Sequence, residues 1–348
     1  MAARRLQIAL GALVVAALAT AGVFVGTSSN SPVPHVPAPA PSLTALAHEL
    51  SAASHQNSLG TLAISLDQLS RDVTYIGFDR GCLVAFNAAR PKGARPSNCF
   101  FGDQSATRTL VLYGDSNADM WLAAFDALGR TNHFRVELVA RASCQIPDLA
   151  LWNPAAHAPG VACTAFRQWA LSEIARVHPF VTVVSDYEYG RRWDYQNRPV
   201  PATVDAAGVT RTLSSIGQHS LATVMLATPP ALFVEPTQCL AINANHISRC
   251  DAPVACLSVA NQSRPRCAFD PSTGRTWSLV QRLGAATRAS GATYVNVDPL
   301  FCSTTACPAV VRHLVVNFDL RHVSQHYSVY INRALAQLLA RDGVVLHS

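Results

Sequence analysis

Five short apolar runs separated by stretches of helical spacing constrain this chain more than any other feature. They are residues 109–113 (TLVLY), 134–140 (FRVELVA), 180–185 (FVTVVS), 222–227 (ATVMLA) and 293–297 (TYVNV). Short runs rich in β-branched residues and poor in charge are the pattern of strands buried on both faces. After the first run, Met120, Ala124, Phe125 and Leu128 recur at helical spacing, and Gly129 follows as a C-cap signal. Residues 166–177, 205–219, 277–289 and 327–339 read as further helices. Strands alternating with helices predict an α/β fold, a mainly parallel five-stranded sheet covered on both faces in a three-layer α/β/α sandwich. Chemistry in such sheets sits in loops leaving the carboxyl ends of the strands.

The amino terminus reads as a targeting signal. Arg4 and Arg5 precede an apolar stretch over residues 6–26, about 20 residues and enough to span a bilayer. Ala19-Thr20-Ala21 also offers a small-residue cleavage site. Residues 1–26 are therefore expected to be a single-span membrane anchor or a cleaved signal peptide. Either way, the preceding positive charge leaves the remainder outside the cytoplasm.

The ten cysteines agree with export. They fall as Cys82/Cys99, Cys144/Cys163, a group of Cys239, Cys250, Cys256 and Cys267, and Cys302/Cys307. An even count in an exported chain points to disulfides. The alternative is a zinc site in the group of four, but its gaps are longer and less regular than zinc sites favour. The formal charge of +6 comes from scattered Arg, with Lys92 the sole Lys. No basic run or face emerges, so a nucleic-acid partner is discarded.

Residues 27–42, rich in Pro and Ser, form an extended linker. Residues 43–106 form an N-terminal extension, helical over 43–73 through Leu46, Leu50, Leu62 and Leu66 and loop-rich beyond, expected to pack outside the main fold. The main domain occupies 107–345. Within it, 228–275 is an insertion rich in Cys, Pro, Asn and Arg, expected to form a cap or substrate-binding loop.

Two motifs carry chemistry. Gly114-Asp115-Ser116-Asn117 stands where the first run turns into a helix. A serine hydroxyl needs a base to become a nucleophile, and a helix N-terminus aims backbone N–H groups at the carbonyl under attack. The bland alternative is an ordinary helix cap, since Asp and Ser both cap well. Asp319-Leu320-Arg321-His322 follows the apolar stretch 314–318 and precedes the last helix. A carboxylate three residues from an imidazole can fix its tautomer and stabilise the imidazolium. Here the bland alternative is a surface Asp and His beside a helix capped by Ser324.

The order Ser near the start and Asp-x-x-His near the end resembles the SGNH (GDSL-type) hydrolase superfamily. The run VLYGDSNADMWLAAFDAL, then Ser143-Cys144 with Pro147, then Cys163, looks like the SGNH domains fused to integral-membrane acyltransferases. So do Val297-Asp298-Pro299-Leu300-Phe301-Cys302, Cys307 and FDLRHVS. The likeness spans about residues 107–340. It implies a flavodoxin-like sheet, a Cys302–Cys307 disulfide, and catalysis by Ser116, Asp319 and His322. It further implies a cell-envelope glycan or glycolipid carrying small acyl groups, and a separate membrane acyltransferase as a partner. Two positions depart from the family pattern. Asn117 stands where fused members usually have His, and no third-block Asn is evident at Ser185-Asp186-Tyr187.

On this reading His322 takes the Ser116 proton while Asp319 holds the ring. The backbone N–H groups of Ser116 and Asn117 serve as oxyanion donors, and Asp115 organises the turn. The acyl group passes to water or to a sugar hydroxyl, with no metal or organic cofactor required. Tyr187, Arg191 and Trp193, in a polar-aromatic cluster after the third run, are candidate substrate contacts. Other tryptophans, such as Trp121, Trp152 and Trp169, read first as core. Competing functions are a non-catalytic glycan-binding or scaffolding partner of a membrane acyltransferase, and a secreted lipase.

Overall fold

The computed structural model describes residues 40–71, 76–89, 99–153, 157–187, 192–230, 235–253 and 277–347. Residues 1–26, expected to be a targeting segment, nearly all of the linker, and Cys256 and Cys267 lie outside them. Among the described residues, no helix is long and apolar enough to cross a membrane.

The main elements in chain order are α1 (Leu43–Ala53), β1 (Phe100–Gly102), β2 (Thr109–Gly114), α2 (Ser116–Thr131), β3 (Arg135–Ala140), α3 (Val161–Val177) and β4 (Val181–Ser185). Then come α4 (Ala202–Gly217), β5 (Ala222–Leu226), α5 (Pro236–Ile242), α6 (Trp277–Ala289), β6 (Thr293–Val295), α7 (Gln325–Tyr330) and α8 (Asn332–Arg341). The sheet order is β1-β3-β2-β4-β5-β6. From β3 to β6 all pairs are parallel, with Leu112 opposite both Leu138 and Val183. Counted along the chain, these five run 2-1-3-4-5, the flavodoxin-like order. The expected five-stranded sheet gains a sixth member: β1 pairs antiparallel with β3, Phe101 opposite Val136. Three residues, one of them a glycine, are too few to announce a strand by their own pattern.

Alternation along the strands separates two cores. Leu110, Leu112, Val136, Leu138, Val183 and Val224 face one layer, with Leu46, Trp121 and Leu338 of α1, α2 and α8. Val111, Tyr113, Val139, Val184 and Met225 face the other, with Phe166, Leu213 and Leu283 of α3, α4 and α6. Successive side chains point to opposite faces, so continuous apolar strands are what two helical layers require.

The N-terminal extension does not stay outside the fold. Leu46 and Leu50 are fully buried in the first core. Helix also fails to run through 43–73: α1 stops at Ala53, and a short helix returns at Leu66–Arg71. Between them Gly60 takes a positive φ, and the N–H groups of Leu59 and Ala63 donate to the carbonyls of Ala244 and His313. Donors spent on distant partners cannot form a helical ladder.

Four disulfides tie the described residues: Cys82–Cys99, Cys144–Cys163, Cys239–Cys250 and Cys302–Cys307. The third joins two members of the group of four, fastening α5 to the 3₁₀ turn Ile247–Arg249 within the insertion.

Candidate active site

Gly114 ends β2 with φ of +152°, and a Cβ there would collide with the Ser185 carbonyl oxygen of β4. Only glycine lets the chain turn this close to the neighbouring strand. Asp115 is the N-cap of α2, its Oδ1 accepting from Asn117 N at 2.7 Å, so Ser116 becomes the first helical residue. Among the described residues the Ser116 N–H has no acceptor, as expected of a first-turn donor. Asn117 departs from expectation: its N–H, assigned above to the oxyanion, is held by the Asp115 carboxylate. Its side-chain Nδ2 donates to the same oxygen at 3.1 Å. Asp115 outcompetes a distant substrate because an N-cap two residues upstream is within reach of that donor by geometry alone.

The loop before α7 supplies the base. Phe318 N donates to His322 O at 3.1 Å, and Asn317 bridges Val323 antiparallel, closing a tight turn around Asp319. Asp319 Oδ1 accepts from the N–H groups of Arg321 and His322, both at 2.7 Å. Its Oδ2 lies 2.8 Å from His322 Nδ1. A carboxylate only accepts, so Nδ1 carries the proton and Nε2 is left to accept from Ser116 Oγ, 2.9 Å away. One carboxylate thus shapes the loop and fixes the tautomer. Phe318 stacks on the imidazole, 5.6 Å between centroids and 6° between planes. Burial pushes the Asp319 carboxyl up, but the His322 ring, its charge and the two backbone N–H groups outweigh it and hold the group below its ordinary value. Ser324, as expected, caps α7 by accepting from Tyr327 N.

The remaining candidates divide. Tyr187 is buried, with its N–H donating to Asp115 Oδ2 at 3.3 Å and the Arg321 guanidinium 4.9 Å above its ring. It therefore joins the loop after β4 to both motifs. Arg191 lies outside the described residues. Trp193 pairs with its neighbours in a small antiparallel patch: Trp152 is opposite Pro159, Trp193 is opposite Pro199, and Leu151 is opposite Asp194. That register sets Trp152 directly across from Trp193, with Trp152 N donating to Trp193 O at 2.8 Å. Directly opposed residues share a face. Pro159, Trp152, Trp193 and Pro199 thus form one row, partly exposed, while the adjacent Arg192 and Asn153 are buried on the other face. Trp121, by contrast, is core, edge-on to Phe301.

The sequence matches the model of a family described as the SGNH domain (fused to AT3 domains) over residues 81–337. The chain belongs to the SGNH family. With that membership it is an enzyme of the hydrolase and acyltransferase class. No curated protein is significantly similar to it in sequence. In fold, this SGNH chain is similar to the lipopolysaccharide acetyltransferase periplasmic domain of Salmonella ser. Paratyphi A. The identity is 11%, coverage is 78% of this chain and 99% of that one, and the TM-score is 0.50. An acetylxylan esterase from Geobacillus stearothermophilus matches at 12% identity, 71% and 99% coverage and a TM-score of 0.40.

The site also includes a buried polar network that the sequence did not announce as one. Gln145, Asp186 and Asp205 converge on Arg192 in a buried network beneath the nucleophile turn. Arg141 is buried too, its guanidinium donating to the carbonyls of Phe86, Ala88 and Ala142 while its N–H donates to Gly114 O at 3.1 Å. The signal available was positional: Arg141, Asp186 and Arg192 all follow the carboxyl end of a strand.

Proposed function

We propose that this SGNH protein is an extracytoplasmic serine esterase or O-acyltransferase that acts on small acyl esters of cell-envelope glycans or glycolipids. The observation that carries the reading is the unbroken hydrogen-bond line from Ser116 Oγ through His322 to Asp319. His322 Nε2 takes the Ser116 proton as Oγ bonds to the acyl carbon, and Asp319 stabilises the resulting imidazolium. The Ser116 N–H receives the developing oxyanion. The imidazolium then protonates the departing alkoxide. Water or a sugar hydroxyl, deprotonated by the same ring, releases the acyl group from serine.

Four disulfides support an oxidising compartment, and the resemblance to a periplasmic acetyltransferase domain agrees with it. The SGNH family's fusion to AT3 domains supports a membrane acyltransferase as a separate partner, with residues 1–26 holding this chain at the same membrane. The Trp152–Trp193 row supports a sugar: flat aromatic faces suit the apolar face of a pyranose ring, as Trp presents large area at little entropic cost. Tyr187 and Arg321 would line the route to Ser116.

A fluorophosphonate probe tests the reading. It is expected to label the folded protein and to leave Ser116→Ala untouched. A folded wild type that stays unlabelled would overturn the catalytic assignment in favour of glycan binding alone.

A further inference from the structure

Directly beneath the nucleophile turn lie two carboxyl groups, Asp115 and Asp186, each 1% exposed. Each directly follows one of two paired strand residues, Gly114 of β2 and Ser185 of β4, and Tyr187, next to Asp186, donates its N–H to Asp115. Asp115 receives three N–H groups: Asn117 N and Nδ2 on Oδ1, and Tyr187 N on Oδ2. Asp186 receives Ile146 N and Arg192 Nη2, each at 3.2 Å and both on Oδ2. Among the described residues no donor reaches its Oδ1, although that atom is fully buried. Arg192 cannot neutralise both, because its Nη1 is held by both oxygens of Asp205 at 2.8 and 2.7 Å. Two adjacent ionised carboxylates out of water repel strongly, and the usual resolution is a retained proton.

We propose that Asp186 is a protonated, hydrogen-bond-donating acid that pins Asp115, and through it the Ser116 turn, to the end of β4. The open Oδ1 is where the proton sits, since the three donors on Asp115 stabilise its charge. Burial first, then the Asp115 charge, push the Asp186 carboxyl well above the ordinary carboxylate range. The other groups facing the pair are His322 beside Asp115, and Arg192, Arg167 and Tyr113 around Asp186. Arg167 directs the N–H groups of its Nη1 and Nη2 to the carbonyls of Gln145 and Leu149, to Cys163 Sγ and to Thr164 Oγ1. Both aspartates are positioning residues. Losing the shared proton in alkaline solution would drive the carboxylates apart and shift Ser116 against His322.

The inference rests on the esterase reading for its kinetic test and has a second test free of it. Asn at 186 mimics a protonated acid, with one accepting oxygen and one donating group that does not titrate. Hydrolysis of 4-nitrophenyl acetate by Asp186→Asn is expected to stay within about three-fold of wild type and to lose the alkaline fall of the wild-type pH profile. Asp186→Ala is expected to fall about a hundred-fold, the scale of an ångström-sized misplacement of reacting groups. An Asp186→Asn as impaired as Asp186→Ala, or one with an unchanged alkaline limb, overturns the proposal. Difference infrared spectroscopy in mildly alkaline buffer, where most carboxyls ionise, reads the proton without turnover. A protonated-carboxyl C=O band that Asp186→Asn removes is expected, and its absence from wild type overturns the proposal whatever the protein hydrolyses.

Discussion

Ser116 Oγ and His322 Nε2 stand 2.9 Å apart across 206 residues of sequence. The fold makes that contact through two independent local devices. Gly114 and Asp115 present the hydroxyl at the end of β2, and Asp319 builds its own turn and holds the imidazole upon it. Neither device depends on the other's sequence, so each is separately breakable.

Substitutions along this line should therefore differ in kind. Ser116→Ala and His322→Ala are expected to lower acetyl-ester hydrolysis by at least about ten-thousand-fold, the scale of triad removal elsewhere. Asp319→Asn keeps an oxygen for the Arg321 and His322 N–H groups, so the turn survives, but the amide favours the wrong His322 tautomer. A large loss of kcat with little change in thermal unfolding is expected. Circular dichroism melts beside initial rates check it, and equal losses of fold and rate would contradict the assigned division of labour.

Gly114 is the structural hinge of the first device. A Cβ has no room against the Ser185 carbonyl, and the obstacle is backbone, which cannot rotate away. Gly114→Ala is expected to cost at least about 2 kcal/mol, in the range of strain at a special backbone conformation. It should also reduce fluorophosphonate labelling in whatever fraction folds. Urea midpoints and probe uptake measure the two effects.

What could be read in advance was what local physics encodes. The strands were legible because burial on both faces leaves uncharged, mostly apolar and β-branched residues in β2, β4 and β5. Ser116 and His322 were legible because helix starts and strand ends mark where side chains converge. Helix α1 was misplaced outside the fold, since Leu46 and Leu50 announce an apolar stripe but not the surface that covers it. The Asn117 N–H was misassigned because a cap and an oxyanion donor call on the same residue types. The Asp115–Asp186–Arg192 network was invisible for a different reason. Charged residues after a strand normally read as solvated, and only the packed fold shows them buried.

The Trp152–Trp193 row predicts a separation of binding from chemistry. Trp193→Ala and Trp152→Ala are expected to raise KM about ten-fold for an acetylated oligosaccharide, consistent with the loss of one aromatic contact of about 1.4 kcal/mol. Turnover of 4-nitrophenyl acetate, which has no sugar ring, should be unchanged. Trp193→Phe should restore part of the affinity. A parallel loss on both substrates would assign these residues to the scaffold.

Asp119 predicts how stability varies with pH. It lies one turn beyond Ser116 on α2, almost wholly buried, and its Oδ1 accepts from Gly77 N at 3.0 Å, with Phe78 N also donating to the carboxyl. Burial pushes this carboxyl up from 3.8 to about 7, more than the two backbone donors offset. Between those values the unfolded chain releases a proton that the folded protein keeps, so the native state is increasingly disfavoured as pH rises through that window. The group's contribution is fully present below about pH 4 and lost above about pH 7, a change of about 4 kcal/mol at 1.36 kcal/mol per unit. Asp119→Asn keeps an accepting oxygen for Gly77 and Phe78 and does not titrate. Urea unfolding from pH 4 to 8 is expected to show a downward slope in wild type that is largely absent in the variant, with the variant more stable at the alkaline end. Parallel curves for the two proteins would mean that the Asp119 carboxyl ionises in the native state at its ordinary pH, despite its burial.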